Sequence, residues 1–248
     1  MTLLENRETI LTKRKITDNI VIDNNVISYR SFVMSSRDTS LDLKIIQSAK
    51  KEFLEKGFIF SSLRKICRNA GVTTGAVYKR YDGKEVLFAN VVKPALNIFE
   101  SILNGTLELN KERTETNASH KNRIDYFDKA KNWIEEIYFE RARQWIKEIY
   151  KEQDAVKILL TKADGTAYSN FVHDFIEQSM KGVYLLMTDL ENRGLCKIKL
   201  SKNEFHVLFI THWTPFFEMF INDFTVDEAI AFLPKITDFL GWDKFIEY

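Results

Sequence analysis

The chain has 248 residues, of which 45% are hydrophobic and 29% are charged, and its formal net charge at pH 7 is +1. These values are typical of a folded, soluble protein with enough chain for one large or two small domains, and they exclude a globally disordered polypeptide. The two cysteines, Cys67 and Cys196, are far apart in the sequence. This separation excludes a disulfide framework and a Cys-x-x-Cys metal site.

The first 40 residues carry the weakest structural signal. Between residues 10 and 34, β-branched and polar residues alternate loosely around an Asp-Asn-Asn stretch, which fits either a small hairpin or a disordered arm. We predict a poorly ordered N-terminal extension over residues 1–40. Met34 is an alternative start of the natural protein, so it stays open whether residues 1–33 belong to it.

No segment is typical of a secretory signal or a membrane span. Glu5, Arg7 and Glu8 interrupt the N-terminal stretch, where a signal peptide needs a sustained apolar run. The most apolar later segment, residues 205–221, contains two histidines, a proline and a glutamate, and falls short of the roughly 20 apolar residues that a span requires. These features predict a cytoplasmic protein without a membrane partner.

The first clear helix is predicted to begin near Leu41 and to end at Gly57. Ser40 can cap its N-terminus, and a glycine at its end supplies the backbone freedom that helix ends often need. Its apolar face consists of Ile45, Ile46, Ala49, Phe53 and Leu54. This face predicts a helix packed on one side against a core.

A short helix is predicted to run from Ser61 or Ser62 to Ala70. Either serine can accept a hydrogen bond as the N-cap, and Gly71 permits the left-handed backbone of a tight turn. The apolar stripe of this helix consists of Leu63, Ile66, Cys67 and Ala70. Their three- and four-residue spacing places them on one face, which we expect to be buried.

A second short helix is predicted directly after the turn, with Thr73 or Thr74 as its cap. Helices shorter than roughly 12 residues are marginal in water, so packing through Val77 and Tyr81 has to hold it. Its outer face consists of Thr74, Gly75, Tyr78, Lys79 and Arg80. Small or hydroxylated residues followed by a tyrosine and two cations are typical of a helix whose N-terminal end enters the DNA major groove.

Positive charge is concentrated around these helices. Residues 41–90 contain ten Lys or Arg and five Asp or Glu, a net charge of +5, whereas residues 91–248 carry a net charge of −5. This asymmetry is typical of a nucleic-acid-binding module joined to an acidic domain. Lys84 opens the next predicted helix, where the helix dipole disfavours a cation unless an anion such as a phosphate is present. For any single residue here, a solvated charged face or simple packing is the alternative interpretation.

The spacing of these residues resembles the DNA-binding domain of the TetR-type transcriptional regulators over residues 41–92. The matching residues are Gly57-Phe58, Ser62-Leu63, Ile66, Ala70-Gly71-Val72, Gly75, Val77-Tyr78, Tyr81, Lys84-Glu85 and Leu87. The resemblance implies a three-helix helix-turn-helix domain over residues 41–92 and a larger helical domain for ligand binding and dimerisation over residues 93–248. The chain departs from the family pattern at Cys67, where alanine is usual, at Arg80, where histidine or tyrosine is common, and at Gly83, where serine or asparagine is common.

The resemblance also implies the residues that touch DNA. Phosphate contacts are expected from Tyr78 and Lys84, and a cap or phosphate contact from Ser62. Base or groove contacts are expected from Thr73, Thr74, Gly75, Ala76 and Lys79. Arg80 is expected to add positive charge to the same DNA-binding surface, while the operator sequence stays open.

The remaining chain has helical patterns and no competing strand pattern, so the fold class is predicted to be all-α. A polar break is predicted over residues 106–120. Helices are predicted over residues 125–150, 156–160, 168–190, 203–222 and 226–239. Gly165 is expected to break the chain between two of them, and Pro94 and Pro234 are expected to kink the helices that contain them.

Two later segments, which begin at Lys162 and Pro215, resemble more loosely the C-terminal domain of some TetR-type regulators, in which the last two helices form a four-helix bundle between two chains. A homodimer also meets a physical need, because one helix-turn-helix reads a half-site and a two-fold dimer reads a palindromic operator on double-stranded DNA. The predicted interface residues, for which packing in the core is the alternative, are Phe209, Phe217, Phe220, Phe232 and Phe239.

A small-molecule effector is the usual trigger in the family that the chain resembles. The aromatic residues expected to line its pocket are Trp133, Phe171, Phe175, Tyr184, Trp213 and Phe216. For any single one of them, packing in the core is the better interpretation. The resemblance implies a repressor that the effector releases from DNA, with activation left open.

Catalysis, a cofactor and a metal site are not predicted. The sequence contains no GxSxG, Walker or GxGxxG motif. His173 and Glu177 are one helical turn apart, but no HExxH-like ligand set accompanies them. The sequence therefore predicts a dimeric, ligand-responsive regulator of transcription. The alternative is a DNA-anchored protein whose helical domain recruits a protein partner and binds no small ligand.

Overall fold

The structure is a computed structural model that describes residues 20–23, 26–29, 39–117, 139–194, 196–240 and 244–247. It separates into two units, residues 1–39 and residues 40–248. In the first unit, strand β1 (Ile20–Asp23) pairs antiparallel with strand β2 (Val26–Tyr29). This hairpin is the alternative to the poorly ordered extension that was predicted, and residues 1–19, 24–25 and 30–38 lie outside the described residues.

The second unit starts with three helices that share one small core. Helix α1 spans Thr39–Phe60 and is interrupted at Gly57, where φ is 71°, so the predicted helix end at this glycine is confirmed. Helix α2 (Leu63–Ala70) and helix α3 (Thr74–Tyr78) follow. The Ser48 hydroxyl on α1 donates to the Ile66 carbonyl oxygen on α2 at 2.8 Å. The buried side chains of this region include Ile45, Ala49, Phe53, Ile66, Cys67 and Val77.

Helix α4 spans Lys84–Asn117 and includes Pro94. The polar break predicted over residues 106–120 is therefore wrong as far as Asn117, because the leucine, glutamate, lysine and arginine residues of this stretch favour a helix whatever their polarity. Within the described part of the chain, Lys84–Gly105 is the one helical stretch that could cross a membrane by length and composition, with a mean hydropathy of 1.4. Half of this stretch is buried inside the protein, as in a core helix.

Five further helices complete the described chain. Helix α5 covers residues 139–151, helix α6 spans Gln153–Thr161, helix α7 spans Phe171–Asn192, helix α8 spans Lys202–Ile221 and helix α9 spans Val226–Leu240. Helix α4 packs on α6 and α7, and α8 packs on α6, α7 and α9. Strand β3 (Lys197–Ile198) pairs antiparallel with strand β4 (Ile246–Glu247), a sheet too short to leave an alternating pattern. The all-α fold is confirmed, with a larger helical region after the first three helices.

Candidate nucleic-acid interface

Two side chains, of Ser62 and Glu52, bind backbone N–H groups at the N-terminus of α2. The Ser62 hydroxyl accepts a hydrogen bond from the Lys65 backbone N–H at 3.3 Å, which identifies Ser62 as the N-cap. A carboxylate oxygen of Glu52 on α1 accepts from the Ser62 N–H at 3.2 Å. Ser61, the other candidate cap, is buried, and its hydroxyl donates to the Phe58 carbonyl oxygen at 2.7 Å. These contacts fix α2 against the end of α1.

The turn between α2 and α3 follows the predicted chemistry. Gly71 has a φ of 69° and caps α2 in the left-handed conformation. The Thr73 hydroxyl oxygen accepts from the Ala76 backbone N–H at 3.2 Å, so Thr73 rather than Thr74 is the N-cap of α3. Val77 is buried and anchors this five-residue helix. At the N-terminal end of α3, Thr73, Thr74 and Gly75 are exposed to solvent.

The predicted base and groove contacts lie together around α3. We call the exposed side of residues 73–79 the recognition surface. Tyr78 is 59% exposed there. Thr73, Thr74, Gly75 and Lys79 are also exposed, whereas Ala76 is half-buried. The recognition surface thus combines hydroxyl groups, an aromatic hydroxyl and a cation, all of which can hydrogen-bond to DNA.

Lys84 has partners that the sequence did not reveal. Its ammonium group donates to the carbonyl oxygens of Phe58, Ile59 and Ser61 at 2.7, 3.4 and 3.3 Å. It also lies 4.4 Å from the centre of the Phe58 ring. These carbonyl oxygens supply the negative charge that a lysine at a helix N-terminus needs. The expectation that Lys84 needs a phosphate to offset the helix dipole is therefore corrected, since the three carbonyl oxygens do so. A phosphate contact of Lys84 stays a prediction.

Arg80 faces α1 instead of joining the recognition surface. Its Nε atom lies 2.9 Å from a carboxylate oxygen of Asp42, and the two side chains are 17% and 11% exposed. The N–H is not aimed at that oxygen as a hydrogen bond requires, so the contact is an ion pair. Burial, followed by the charge of Asp42, raises the pKa of the neighbouring Tyr81 to about 12. Tyr81 therefore stays protonated at neutral pH.

Two acids that organise this region, Asp42 and Glu52, were not predicted from the sequence. Both lie on the buried face of α1, and Glu52 forms an ion pair with Lys65 at 2.8 Å. Asp42 lies three residues before Ile45 and Glu52 lies three residues after Ala49, which is a spacing of the apolar stripe. An acid at a position of the buried stripe was the signal that could have identified them, because buried carboxylates need a partner.

The aromatic residues predicted to line an effector pocket form a closed cluster where they are described. Phe171, Phe175, Trp213 and Phe216 are buried. The Phe175 ring centre lies 5.0 Å from that of Trp213, in an edge-to-face arrangement. The cavity beside Trp213 and Phe216 measures about 10 Å³, room for about one water molecule. Tyr184 is half-buried against Phe205, and Trp133 lies outside the described residues.

A larger space lies between α4 and α5. This cleft of about 480 Å³ is lined by Asn97, Glu100, Ser101, Asn104, Gly105, Arg141 and Trp145. Arg141 donates to the Gly105 carbonyl oxygen at 3.2 Å. The volume of the cleft falls within the range of small-molecule sites, although such sites are usually more apolar. None of the predicted pocket residues that the structure describes lines this cleft.

The predicted dimer residues divide into two groups. Phe209, Phe217 and Phe220 are buried in the core of their own chain, so these side chains are not on its surface. Helical spacing could not distinguish the two environments, and the placement of these three at an interface is corrected. Phe232 is half-buried and Phe239 is 78% exposed. The interface prediction consequently rests on these last two.

The described histidines form no metal centre. No group of three or more His, Cys, Asp or Glu side chains with metal-site geometry occurs among the described residues. His206 Nε2 lies 2.6 Å from a Glu177 carboxylate oxygen. Burial lowers the pKa of His212 to about 4, so this imidazole is neutral at physiological pH.

Comparisons with known proteins agree with this geometry. The family model of the bacterial regulatory proteins of the tetR family matches residues 45–91. A TetR-family transcriptional regulator from Bordetella parapertussis 12822 has 13% identity and a TM-score of 0.50, covering 83% of this chain and 95% of its own. A TetR-like transcriptional regulator from Rhodococcus sp. RHA1 has 13% identity and a TM-score of 0.50, covering 84% of this chain and 100% of its own.

At these identities the two structures show a shared fold alone. A search of curated proteins found no match to the sequence. Residues 45–91 thus match the tetR family of bacterial regulatory proteins, and the chain has the fold of TetR-family transcriptional regulators.

Proposed function

We propose that this chain is a dimeric, sequence-specific DNA-binding regulator of transcription that represses its target and is released from the operator by a small molecule. The observation that carries the proposal is the exposed, Thr73-capped N-terminal end of α3 within a tetR-family domain. In this proposal residues 41–92 bind DNA, and residues 93–248 dimerise and bind the effector.

Docking follows from the orientation of the two short helices. The recognition surface enters the major groove, while α2 crosses the phosphate backbone. Thr73 accepts from Ala76 but keeps its hydroxyl hydrogen to donate to a base or phosphate. Tyr78 donates its hydroxyl to a phosphate oxygen. Since Lys84 already donates to three carbonyl oxygens, a phosphate would have to share its ammonium group with them. A substitution of Tyr78 therefore tests the phosphate contacts more directly than one of Lys84.

Fluorescence anisotropy with the DNA that flanks the gene for this chain tests the proposal. The variant Tyr78→Phe removes only the hydroxyl, and hydrogen bonds to charged groups contribute about 1.5–3 kcal/mol, so affinity is expected to fall roughly ten- to a hundredfold. Tyr184→Phe makes the same change on α7 and is expected to bind as the wild type does. Undiminished binding by both Tyr78→Phe and Tyr78→Ala would refute the assignment of Tyr78.

Dimerisation is proposed through the outer faces of α8 and α9. Val207 on α8 and Phe239 on α9 are large apolar side chains exposed to solvent, which is typical of a surface that meets another protein. Sedimentation of the wild type at micromolar concentration is expected to show a dimer, and Phe239→Lys is expected to weaken it. A wild type that sediments only as a monomer would contradict a dimeric regulator.

The cleft between α4 and α5 is the proposed place for the effector, because its volume of about 480 Å³ is in the range of small-molecule sites. A thermal-shift screen of hydrophobic and cationic compounds tests this, since a ligand of the native state raises the melting temperature. Arg141→Ala is expected to abolish the shift. A shift that survives this change would place the effector elsewhere.

One observation favours the alternative function, a DNA-anchored protein that recruits a protein partner. Phe175 and Trp213 pack edge to face in the described aromatic cluster, and the cavity beside Trp213 and Phe216 has room for about one water molecule. In this case no compound would raise the melting temperature or release DNA, although Tyr78→Phe would still bind DNA more weakly. The two readouts together separate the two candidates.

A further inference from the structure

We propose that Arg80 is a positioning residue rather than a phosphate contact, and that its ion pair with Asp42 fixes the C-terminal end of α3 to the first turn of α1. The pair persists when DNA is bound. This inference rests on the proposed function, DNA binding through the recognition surface.

The geometry turns Arg80 away from DNA. The backbone N–H groups of Arg80 and Tyr81 both donate to the Val77 carbonyl oxygen, at 2.9 and 2.8 Å, in a tight turn that ends α3. Within this turn the Arg80 side chain reaches Asp42 at 2.9 Å, and it is 17% exposed, compared with 59% for the whole residue Tyr78 on the recognition surface. Tyr81 is buried beside the pair. In this conformation the Arg80 guanidinium, which Asp42 already engages, is therefore less available to a phosphate than Tyr78 is.

The charges favour keeping the pair intact. Asp42 lies in the first turn of α1, where the helix dipole favours a negative charge, and Arg80 follows the last turn of α3, where it favours a positive one. Moving Arg80 to a phosphate would leave the Asp42 carboxylate buried without its partner, which is strongly unfavourable. A phosphate contact at the surface is weakened by salt, so it does not offset that loss.

The positioning role has a consequence for DNA recognition. Because α3 has only five residues, its direction depends on the contacts that attach it to the other helices, which include the buried Val77 and the ion pair of Arg80 just after its end. Loss of the pair should misdirect the recognition surface. It should then weaken binding to the operator more than binding to unrelated DNA, where only backbone contacts count.

Salt-dependent anisotropy with operator and unrelated DNA tests the proposal. A lost phosphate contact reduces the magnitude of the negative slope of log affinity against log salt by about 0.9 and weakens binding to all DNA alike. For Arg80→Gln and for Asp42→Asn we expect an unchanged slope and a roughly tenfold loss on the operator alone. If Arg80→Gln reduced the magnitude of the slope by about 0.9 and lost equal affinity for both DNAs, the proposal would be overturned. Tighter operator binding by Asp42→Asn would also overturn it.

Melting temperatures test the pair without DNA. Each single variant is expected to melt at a lower temperature than the wild type, and the double variant no lower than the weaker of the two. Additive losses would overturn the ion pair. Arg80→Met, which keeps the apolar stem, replaces Arg80→Gln if the latter does not fold. A wild type that binds no DNA would defeat the proposed function, while non-additive melting would still support the pair.

Discussion

Replacing Lys84 by methionine is expected to destabilise the fold, because the Lys84 ammonium group joins the start of α4 to the end of α1. Methionine keeps an unbranched apolar stem of similar length but cannot donate a hydrogen bond. The change therefore removes the contacts of the charge and little else. The three acceptor carbonyl groups, of Phe58, Ile59 and Ser61, lose a donor at the same time.

The magnitude follows from the individual contacts. The 2.7 Å hydrogen bond to the Phe58 carbonyl oxygen is a bond to a charged group, which contributes about 1.5–3 kcal/mol. The contact of the ammonium group with the Phe58 ring at 4.4 Å adds about 0.5–1 kcal/mol. The two longer hydrogen bonds add little. Because Lys84 is only half-buried, solvent screening favours the lower end, and we expect a loss of about 2 kcal/mol in the free energy of unfolding.

Urea unfolding followed by circular dichroism measures this loss. The control is Lys51→Met, which makes the same change at an exposed position of α1 and is expected to stay within about 0.5 kcal/mol of the wild type. A Lys84→Met variant as stable as this control would refute the structural role of Lys84. If such a variant nevertheless lost DNA affinity, Lys84 would act as a phosphate contact instead.

Four further substitutions test the packing of the helical region by urea unfolding. Burial holds the pKa of His212 at about 4, below its ordinary 6.5, so the unfolded chain binds the proton first and stability falls as the pH drops from 6.5 to 4. Between pH 7 and 5 the free energy of unfolding of the wild type should fall by about 2 kcal/mol more than that of His212→Gln. Equal losses would contradict a buried neutral imidazole. Gly165 has a φ of 81°, and a Cβ added there would lie 3.0 Å from Ile59, whereas Gly194 has a φ of 70° and open space around it. Gly194→Ala should therefore lower the free energy of unfolding by about 1–2 kcal/mol, and Gly165→Ala should lower it further. Equal losses would exclude the Ile59 contact. Phe175→Ala should cost about 3–5 kcal/mol because it opens a cavity in the aromatic cluster, and a loss under about 1 kcal/mol would show that this cluster is loosely packed.

Local chemistry made much of the interface predictable from the sequence. The turn at Gly71 needs a left-handed backbone, and the start of α3 needs a hydroxyl cap, so both follow from residues within a few positions of each other. The interruption of α1 at Gly57 is predictable for the same reason. In each case residues adjacent in the sequence determine the local structure.

Contacts between distant residues were not predictable in the same way. Asp42 and Arg80 are 38 positions apart, and Lys84 meets carbonyl groups more than 20 positions before it. Charge counts therefore treated both cations as available to DNA, although the fold gives each of them an internal partner. Likewise, the helical spacing of Phe209 and Phe220 fits a core as well as an interface, and only the packing of α8 decides between them.

Selection of bound DNA from a random library by the wild-type chain tests DNA reading through the recognition surface most directly. We predict that the selected sequences contain a two-fold symmetric site whose half-site centres are about 10 base pairs, or a multiple of this, apart. Tyr78→Ala should enrich no such site. Enrichment of no sequence by the wild type, or of a single unsymmetric half-site, would contradict a dimer that reads DNA with α3.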